Sequence, residues 1–243
     1  MSLPLLPDDN WSRVLCIVAH PDDLEYGTSA AVATWTKRGV EVAYVLLTSG
    51  EAGMQLPPEE VGPMRAAEQR KACETVGVQQ LSVLNHPDGM LQPGLELRRD
   101  VARAVREFRP DAVVTANFDL EAYGGLNQAD HRAAGLSVID GVRDADNTWV
   151  FRELADAGLP KWHTRWILVA GHPDATHAVA VDRAAVEASV ASLRSHQAYL
   201  ADLPGHPDPG QMIPGILRSG GEAAGEEYAV CFRAYDLGEP LRP

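Results

Sequence analysis

Arg13 to Gly27 reads R-V-L-C-I-V-A-H-P-D-D-L-E-Y-G. Six apolar residues, Val14 to Ala19, run without alternation, as in a parallel strand buried on both faces. The residue before a proline is biased away from helix, so the strand should end at His20-Pro21. His20, Asp22 and Asp23 then fall within four positions, at the carboxyl end of a strand, where open α/β sheets bind their ligands. An imidazole and two carboxylates crowded there attract a cation, and they form half of a metal site.

Outward from this stretch, strand and helix alternate. Thr28 to Arg38 reads as a helix closed by Gly39, and Val40 to Thr48 as a second strand leading into S-G-E-A-G-M. The Pro- and Glu-rich segment 55–62 reads as a surface loop, followed by a helix over Met64 to Val76 and a short strand over Leu81 to Leu84. Leu95 to Phe108 is an amphipathic helix, and Ala112 to Ala116 a strand. An irregular stretch, 117–129, precedes a helix opening near Asp130-His131 and reaching about Val142. Arg165 to Ala170 is another apolar strand, Asp182 caps a helix over Arg183 to Ser195, and Glu227 to Asp236 closes the chain as a strand. Repeated βα units imply a mostly parallel sheet with helices on both faces, a Rossmann-like three-layer α/β sandwich. No linker-like composition interrupts the chain, so 1–243 is expected to be a single domain. The Gly- and Pro-rich segments 147–164 and 204–225 read as loops, the C-terminal one (about 200–226) framing the pocket.

Composition narrows the function classes. The formal charge of −13 argues against nucleic acid, whose affinity comes mainly from Lys and Arg on phosphates, but not against a sugar. No apolar run reaches membrane-helix length, and M-S-L-P-L-L-P-D-D-N lacks the basic region and apolar core of a signal peptide. Cys16, Cys73 and Cys231 are odd in number and widely spaced, as in a reducing compartment, so a cytoplasmic location is expected. Neither G-x-G-x-x-G nor G-x-x-x-x-G-K-[ST] follows any strand, which removes the phosphate cradle of nucleotide-binding relatives of the fold.

A catalytic zinc site needs three protein ligands and an open position. His20 and Asp23 can point the same way at the opening of a helix; the third ligand must come from elsewhere. The best candidate is His131 in N-Q-A-D-H-R-A-A-G, on another strand–loop–helix connection, with Asp130 placed to orient a ligand. H-P-D occurs at His20, His86, His172 and His206, but only the first has a second carboxylate beside it, and the motif is also a good way to leave a strand for a turn.

His20-Pro21-Asp22-Asp23 with the later Asp130-His131-Arg132 resembles the PIG-L/LmbE-like zinc deacetylases, whose hallmarks are A-H-P-D-D and H-x-D-H. T-S-G-E-A-G at Thr48 to Gly53, R-A-A-E at Arg65 to Glu68, P-D-G at Pro87 to Gly89, R-P-D at Arg109 to Asp111 and the later V-D-R with S-H-Q are similar to that family's landmarks, in its order. The resemblance implies a Rossmann-like fold and zinc-dependent removal of an N-acetyl group from an amino-sugar-type substrate. Another divalent transition metal fits the same ligands, and a homo-oligomer is compatible with the family. By position, His20, Asp23 and His131 would hold the metal, Asp22 would be the general base, and Arg65 and Asp88 would contact sugar hydroxyls. Where the family's second motif usually has a histidine, this chain has Gln128, which can donate a hydrogen bond to an oxyanion but carries no titrating proton. His196 or His172 would then be a candidate acid, or Asp22 would return its own proton to the amine.

Duller roles exist for each residue. Asp22 or Asp23 could cap the following helix. Arg65 and Glu68 could be a helix-face ion pair. Asp88 could be a turn residue, His131 a surface histidine and His196 a structural one, and Glu51 could only steady its loop. The rival functions are an amidase acting on a thiol conjugate or acylated natural product, and a non-catalytic descendant that binds a sugar or partner.

Overall fold

The computed structural model describes residues 2–238. In chain order the elements are β1 (Arg13–Val18), α1 (Thr28–Lys37), β2 (Glu41–Leu46), α2 (Pro58–Thr75), β3 (Gln80–Val83), α3 (Leu95–Phe108), β4 (Ala112–Ala116), β5 (Glu121–Ala122), β6 (Gly125–Leu126), α4 (Ala129–Ala145), α5 (Arg152–Asp156), β7 (Trp166–Ala170), β8 (His177–Ala180), α6 (Arg183–Arg194), α7 (Gln197–Asp202), α8 (Pro209–Ala224) and β9 (Ala229–Asp236). Seven strands form one sheet in the order β3-β2-β1-β4-β7-β9-β8, and β5 and β6 form a separate hairpin. The strands from β3 to β7 are parallel, while β9 runs antiparallel to both neighbours. The fold is the Rossmann-like three-layer sandwich that the alternation implies.

The two-sided burial of β1 follows its side chains. Val14, Cys16 and Val18 point into a core shared with α1, α6 and α8, whereas Leu15 and Ile17 join the core under α3 and α4. An unalternating apolar run is what such a strand needs, because period-two geometry sends neighbours to opposite faces and both faces are dry.

Two stretches read as loops are helices. In 55–62, Pro57 is the cap of α2, Pro58 occupies its first turn, and Glu59 and Glu60 favour the positive helix end, so the helix starts six residues earlier than Met64. Pro63, the sixth residue of α2, has no N–H to give to the carbonyl four residues back. The segment 204–225 contains α8, which buries Ile213, Leu217, Gly221 and Ala224 along one face. Its glycines mislead the sequence reading because their role is tertiary. A β-carbon on Gly220 would lie 2.2 Å from the Ala229 carbonyl, so only glycine lets α8 seat against the start of β9. The short α5, α7 and β8 were also unread. Cys16, Cys73 and Cys231 are free thiols. No helix among the described residues is long and apolar enough to cross a membrane.

Candidate metal centre

β1 and β4 are the neighbours at which the strand order reverses, and the candidate residues gather above their carboxyl ends. His20 leaves β1, and its backbone N–H donates to Asp23 Oδ2 at 2.9 Å, closing a tight turn that turns the Asp23 carboxylate inward. His131, in the first turn of α4, brings Nε2 to 3.1 Å from Asp23 Oδ1, and His20 Nδ1 lies 3.7 Å from the same oxygen. The ligand-type atoms of His20, Asp23 and His131 lie within 4.8 Å of one another.

Each imidazole is anchored through its other nitrogen. His20 Nε2 lies 2.9 Å from Asp88 Oδ1 and 3.4 Å from Asp130 Oδ2, while His131 Nδ1 is 2.9 Å from Asn127 Oδ1. With those nitrogens carrying the protons, Nδ1 of His20 and Nε2 of His131 keep their lone pairs towards Asp23. Tetrahedral coordination with bonds of about 2.0–2.1 Å sets ligand atoms about 3.3 Å apart, so this N, O, N set fits a divalent transition metal. Burial works against a charged His20, yet the Asp23 charge and the hydrogen bonds that Asp130, Asp23 and Asp88 accept from it push it up to about 12. Burial likewise opposes the Asp23 anion, but His20 and His131 hold it well below the usual carboxylate range. This much negative charge around one imidazole is a demand for positive charge.

Asp22 stands beside the cluster and outside it. Its φ of 84° is rare for a residue with a β-carbon, and two groups of α2 hold it there. Its N–H donates to Gln69 Oε1 at 3.0 Å, and Arg65 Nη2 lies 2.9 Å from its Oδ1. Gln69 Nε2 donates in turn to Glu25 Oε1 at 3.0 Å, and Ser192 Oγ reaches the same oxygen at 3.3 Å. Burial lifts Asp22 to about 7 against the pull of Arg65. Neither Asp22 nor Asp23 caps α1, whose cap is Gly27 with no side-chain hydrogen bond.

Arg65 is placed differently from its expected role at sugar hydroxyls. It is 2% exposed, its Nη atoms also donate to Gly50 O and Pro21 O, and its guanidinium lies 3.9 Å from the centre of the Tyr199 ring. A β-carbon on Gly50 would fall 2.1 Å from Arg65 Nη1, which explains the glycine in T-S-G-E-A-G: it clears the path of this side chain. Arg65 and Glu68 do not pair. Glu68 instead accepts the backbone N–H of Ala198 at 2.6 Å, at the start of α7.

Asp88 accepts the Ala52 N–H at 2.8 Å and faces His20, and Glu51 accepts the Asp88 N–H at 2.9 Å. Asp130 accepts N–H groups of Gly89 and Leu91, tying the 88–91 turn to α4. Gln128 occupies the position before α4 without a side-chain hydrogen bond to the helix and is exposed. His196 is fully buried, 4.0 Å from Glu25 Oε2, and burial, aided by Arg65, holds it down at about 3. His172 uses both nitrogens, Nε2 at 3.1 Å from Asp119 Oδ2 and Nδ1 accepting the Asp174 N–H. His86 pairs with Asp100 and His206 with Tyr26, so one of the four H-P-D histidines enters the cluster. Sequence reasoning missed Gln69 and Asn127. Asn127 stands four residues before His131, one helical turn, which was the available signal.

A buried carboxylate beside a two-histidine, one-aspartate cluster is a set of side chains that could hold a metal ion. Residues 15–142 match the family model described as PIG-L, GlcNAc-PI de-N-acetylase, and the chain belongs to that family. Every residue of the cluster lies inside the matched segment, and the deacetylases of this family are metal-dependent. The chain is 28% identical over 176 residues to the diacetylchitobiose deacetylase of Thermococcus kodakarensis, covering 71% of this chain and 60% of that one. It is 32% identical over 179 residues to the 1D-myo-inositol 2-acetamido-2-deoxy-alpha-D-glucopyranoside deacetylase of Kineococcus radiotolerans, covering 56% of this chain and 48% of that one. These matches span 60% and 48% of the two relatives' lengths. Among solved structures, N,N'-diacetylchitobiose deacetylase from Pyrococcus horikoshii, complexed with its inhibitor MPG, superposes with a TM-score of 0.83 at 26% identity, over 95% of this chain and 86% of that one.

Proposed function

We propose that this protein is a zinc-dependent N-deacetylase that hydrolyses the acetamide of an amino-sugar-type substrate. The observation that carries the reading is the convergence of His20, Asp23 and His131 beside a buried Asp22 that coordinates none of them. His20 Nδ1, Asp23 Oδ1 and His131 Nε2 would hold the ion. The chemistry zinc supplies in such a site is Lewis acidity, which polarises an amide carbonyl and lowers the pKa of water to roughly 7.

The chain's own residues do the proton work. Asp22, lifted to about 7, is matched to taking a proton from water near neutral pH and returning it to the departing amine, which removes the need for a second acid. Arg65 and Gln69 fix the direction from which it acts, and the exposed Gln128 amide is available to a developing oxyanion. Asp130 and Asn127 orient the two histidines, and Asp88 serves His20 while bordering the sugar. The sheet is read as one domain spanning the chain, and the three free thiols support a cytoplasmic location.

The test is metal content by mass spectrometry together with acetate release from N,N'-diacetylchitobiose, wild type beside His131→Ala. About one zinc per chain, lost together with activity in the variant, is the expected result. Full acetate release by a metal-free variant would overturn it.

A further inference from the structure

Helix α7 buries none of its six residues, so apolar packing does not hold it in place. Polar ties do. Glu68 of α2 accepts the backbone N–H groups of Ala198 at 2.6 Å and Tyr199 at 3.4 Å. Asp202, at the far end of α7, accepts the Gln55 N–H at 3.2 Å, and His196, the residue before the helix, is fully buried. These ties set α7 over Arg65, with the centre of the half-buried Tyr199 ring 3.9 Å from the guanidinium carbon.

That contact completes the surroundings of Arg65. Its Nη donors are taken up by Gly50 O, Pro21 O and Asp22 Oδ1, at 2.9, 2.7 and 2.9 Å. Donors in the plane of a guanidinium fix it within that plane, but they leave its flat face open to tilting and to water. Tyr199 covers a face. Burial pushes the Tyr199 phenol up to about 12, and the Asp22 charge adds to it, so the ring stays neutral near pH 7. A neutral aromatic face attracts a cation, and more strongly where water is excluded. Arg65 Nε is buried yet has no hydrogen-bond partner, so its shelter from water comes from the groups packed over it.

On the deacetylase reading above, we infer that Tyr199 is a positioning residue: its ring roofs Arg65 and keeps water out of the Arg65–Asp22 pair, so that the carboxylate stays where the reaction needs it. R-A-A-E then has one purpose at both ends. Arg65 reaches Asp22, and Glu68, one helical turn on, fixes the backbone that carries the roof of Arg65. An ion pair that loses its cover meets a higher dielectric and weakens. A carboxylate freed in this way costs rate through misplacement, while the metal ligands keep their places.

The test sets Tyr199→Leu beside Tyr199→Phe, both metal-loaded and both acting on N,N'-diacetylchitobiose. Leucine removes the aromatic face, whereas phenylalanine keeps it and gives up the hydroxyl alone. The leucine variant should lose about tenfold in kcat, the scale of one sheltered cation–π contact, with KM and zinc content close to wild type. Phenylalanine should restore most of that rate, and urea midpoints should change little in either variant, since α7 buries none of its residues. A leucine variant with the wild-type kcat, or a phenylalanine variant as slow as the leucine one, overturns the inference. Hydrogen exchange reads the roof without the reaction. Exchange of the Arg65 Nε–H with water, followed by heteronuclear NMR and identified by the loss of its signal in Arg65→Lys, should rise about tenfold in the leucine variant and stay near wild type in the phenylalanine one. If the wild type releases no acetate, that failure belongs to the deacetylase reading, and a rise in exchange confined to the leucine variant still supports the roof. Equal exchange in all three proteins overturns it.

Discussion

Replacing Gln69 by leucine should separate the holding of Asp22 from the holding of the metal. Gln69 is 1% exposed and uses both ends of its amide, accepting from the Asp22 backbone and donating to Glu25, each at 3.0 Å. Leucine fills similar volume and does neither. The Asp22 N–H would lose its acceptor inside the protein, at about 1–3 kcal/mol, and Glu25 would keep only the longer bond from Ser192. A total loss near 3 kcal/mol should appear as a lower urea midpoint followed by tryptophan fluorescence. The larger effect falls on rate. Asp22 is in a left-handed conformation that costs about 1–3 kcal/mol and persists because its surroundings impose it. Freed of one constraint, the carboxylate should drift, and a misplacement of about 1 Å can cost about 10²-fold. The expected result is a kcat lowered by about that factor, with KM and zinc content close to wild type, since His20, Asp23 and His131 do not touch Gln69. A variant that loses stability but keeps the wild-type kcat would refute the reasoning and leave Gln69 a packing residue.

Two further outcomes follow from the same geometry. Asp22→Asn keeps shape and removes the base, so kcat should fall by about 10²–10⁴-fold while metal analysis still finds the ion; near-normal turnover would remove Asp22 from the chemistry. His196 is held at about 3 against an ordinary value of 6.5, so its neutral burial contributes stability that is present above pH 6.5. That contribution is lost as pH falls through the window towards 3, by about 1.4 kcal/mol per pH unit. His196→Gln should therefore flatten the acid side of the stability profile between those limits, measured as urea midpoints against pH, and an unchanged slope would contradict the assignment.

How much of this was legible depended on where the information lay. β1 and the H-P-D-D turn could be read because local rules act together there: an apolar run for a doubly covered strand, a proline to stop it, and charged groups with nowhere else to go. The pairing of His20 and Asp23 with His131, 108 residues on, could be read because strand–helix connections return to one edge of the sheet. α8 could not, since Gly220 and Gly221 lower helix propensity for the sake of close contact with the start of β9 and with the Glu226-Glu227 backbone before it, a reason located outside the helix. Arg65 was recognised as a residue of interest, but its contacts with Gly50, Pro21, Asp22 and Tyr199 were not legible. Nothing in R-A-A-E reveals that two glycines fifteen and twelve positions earlier clear a buried channel for it. Gln69 carries no sequence signal at all, because its value comes from meeting a backbone amide 47 residues away.

The antiparallel β9 has a consequence for the order of assembly during synthesis. Among the described residues β8 joins the rest of the sheet through β9, which also completes β7, although Ala178 of β8 additionally bridges Leu5 near the N-terminus, so β8 reaches the sheet itself once residues 229–236 have left the ribosome. The metal-cluster residues all precede position 132, and their five parallel strands are complete by position 170. A nascent chain stalled before Ala229 would thus carry the ligand set on a sheet with one bare edge along β7. The last eight-residue strand covers that edge and ties β8 to the sheet.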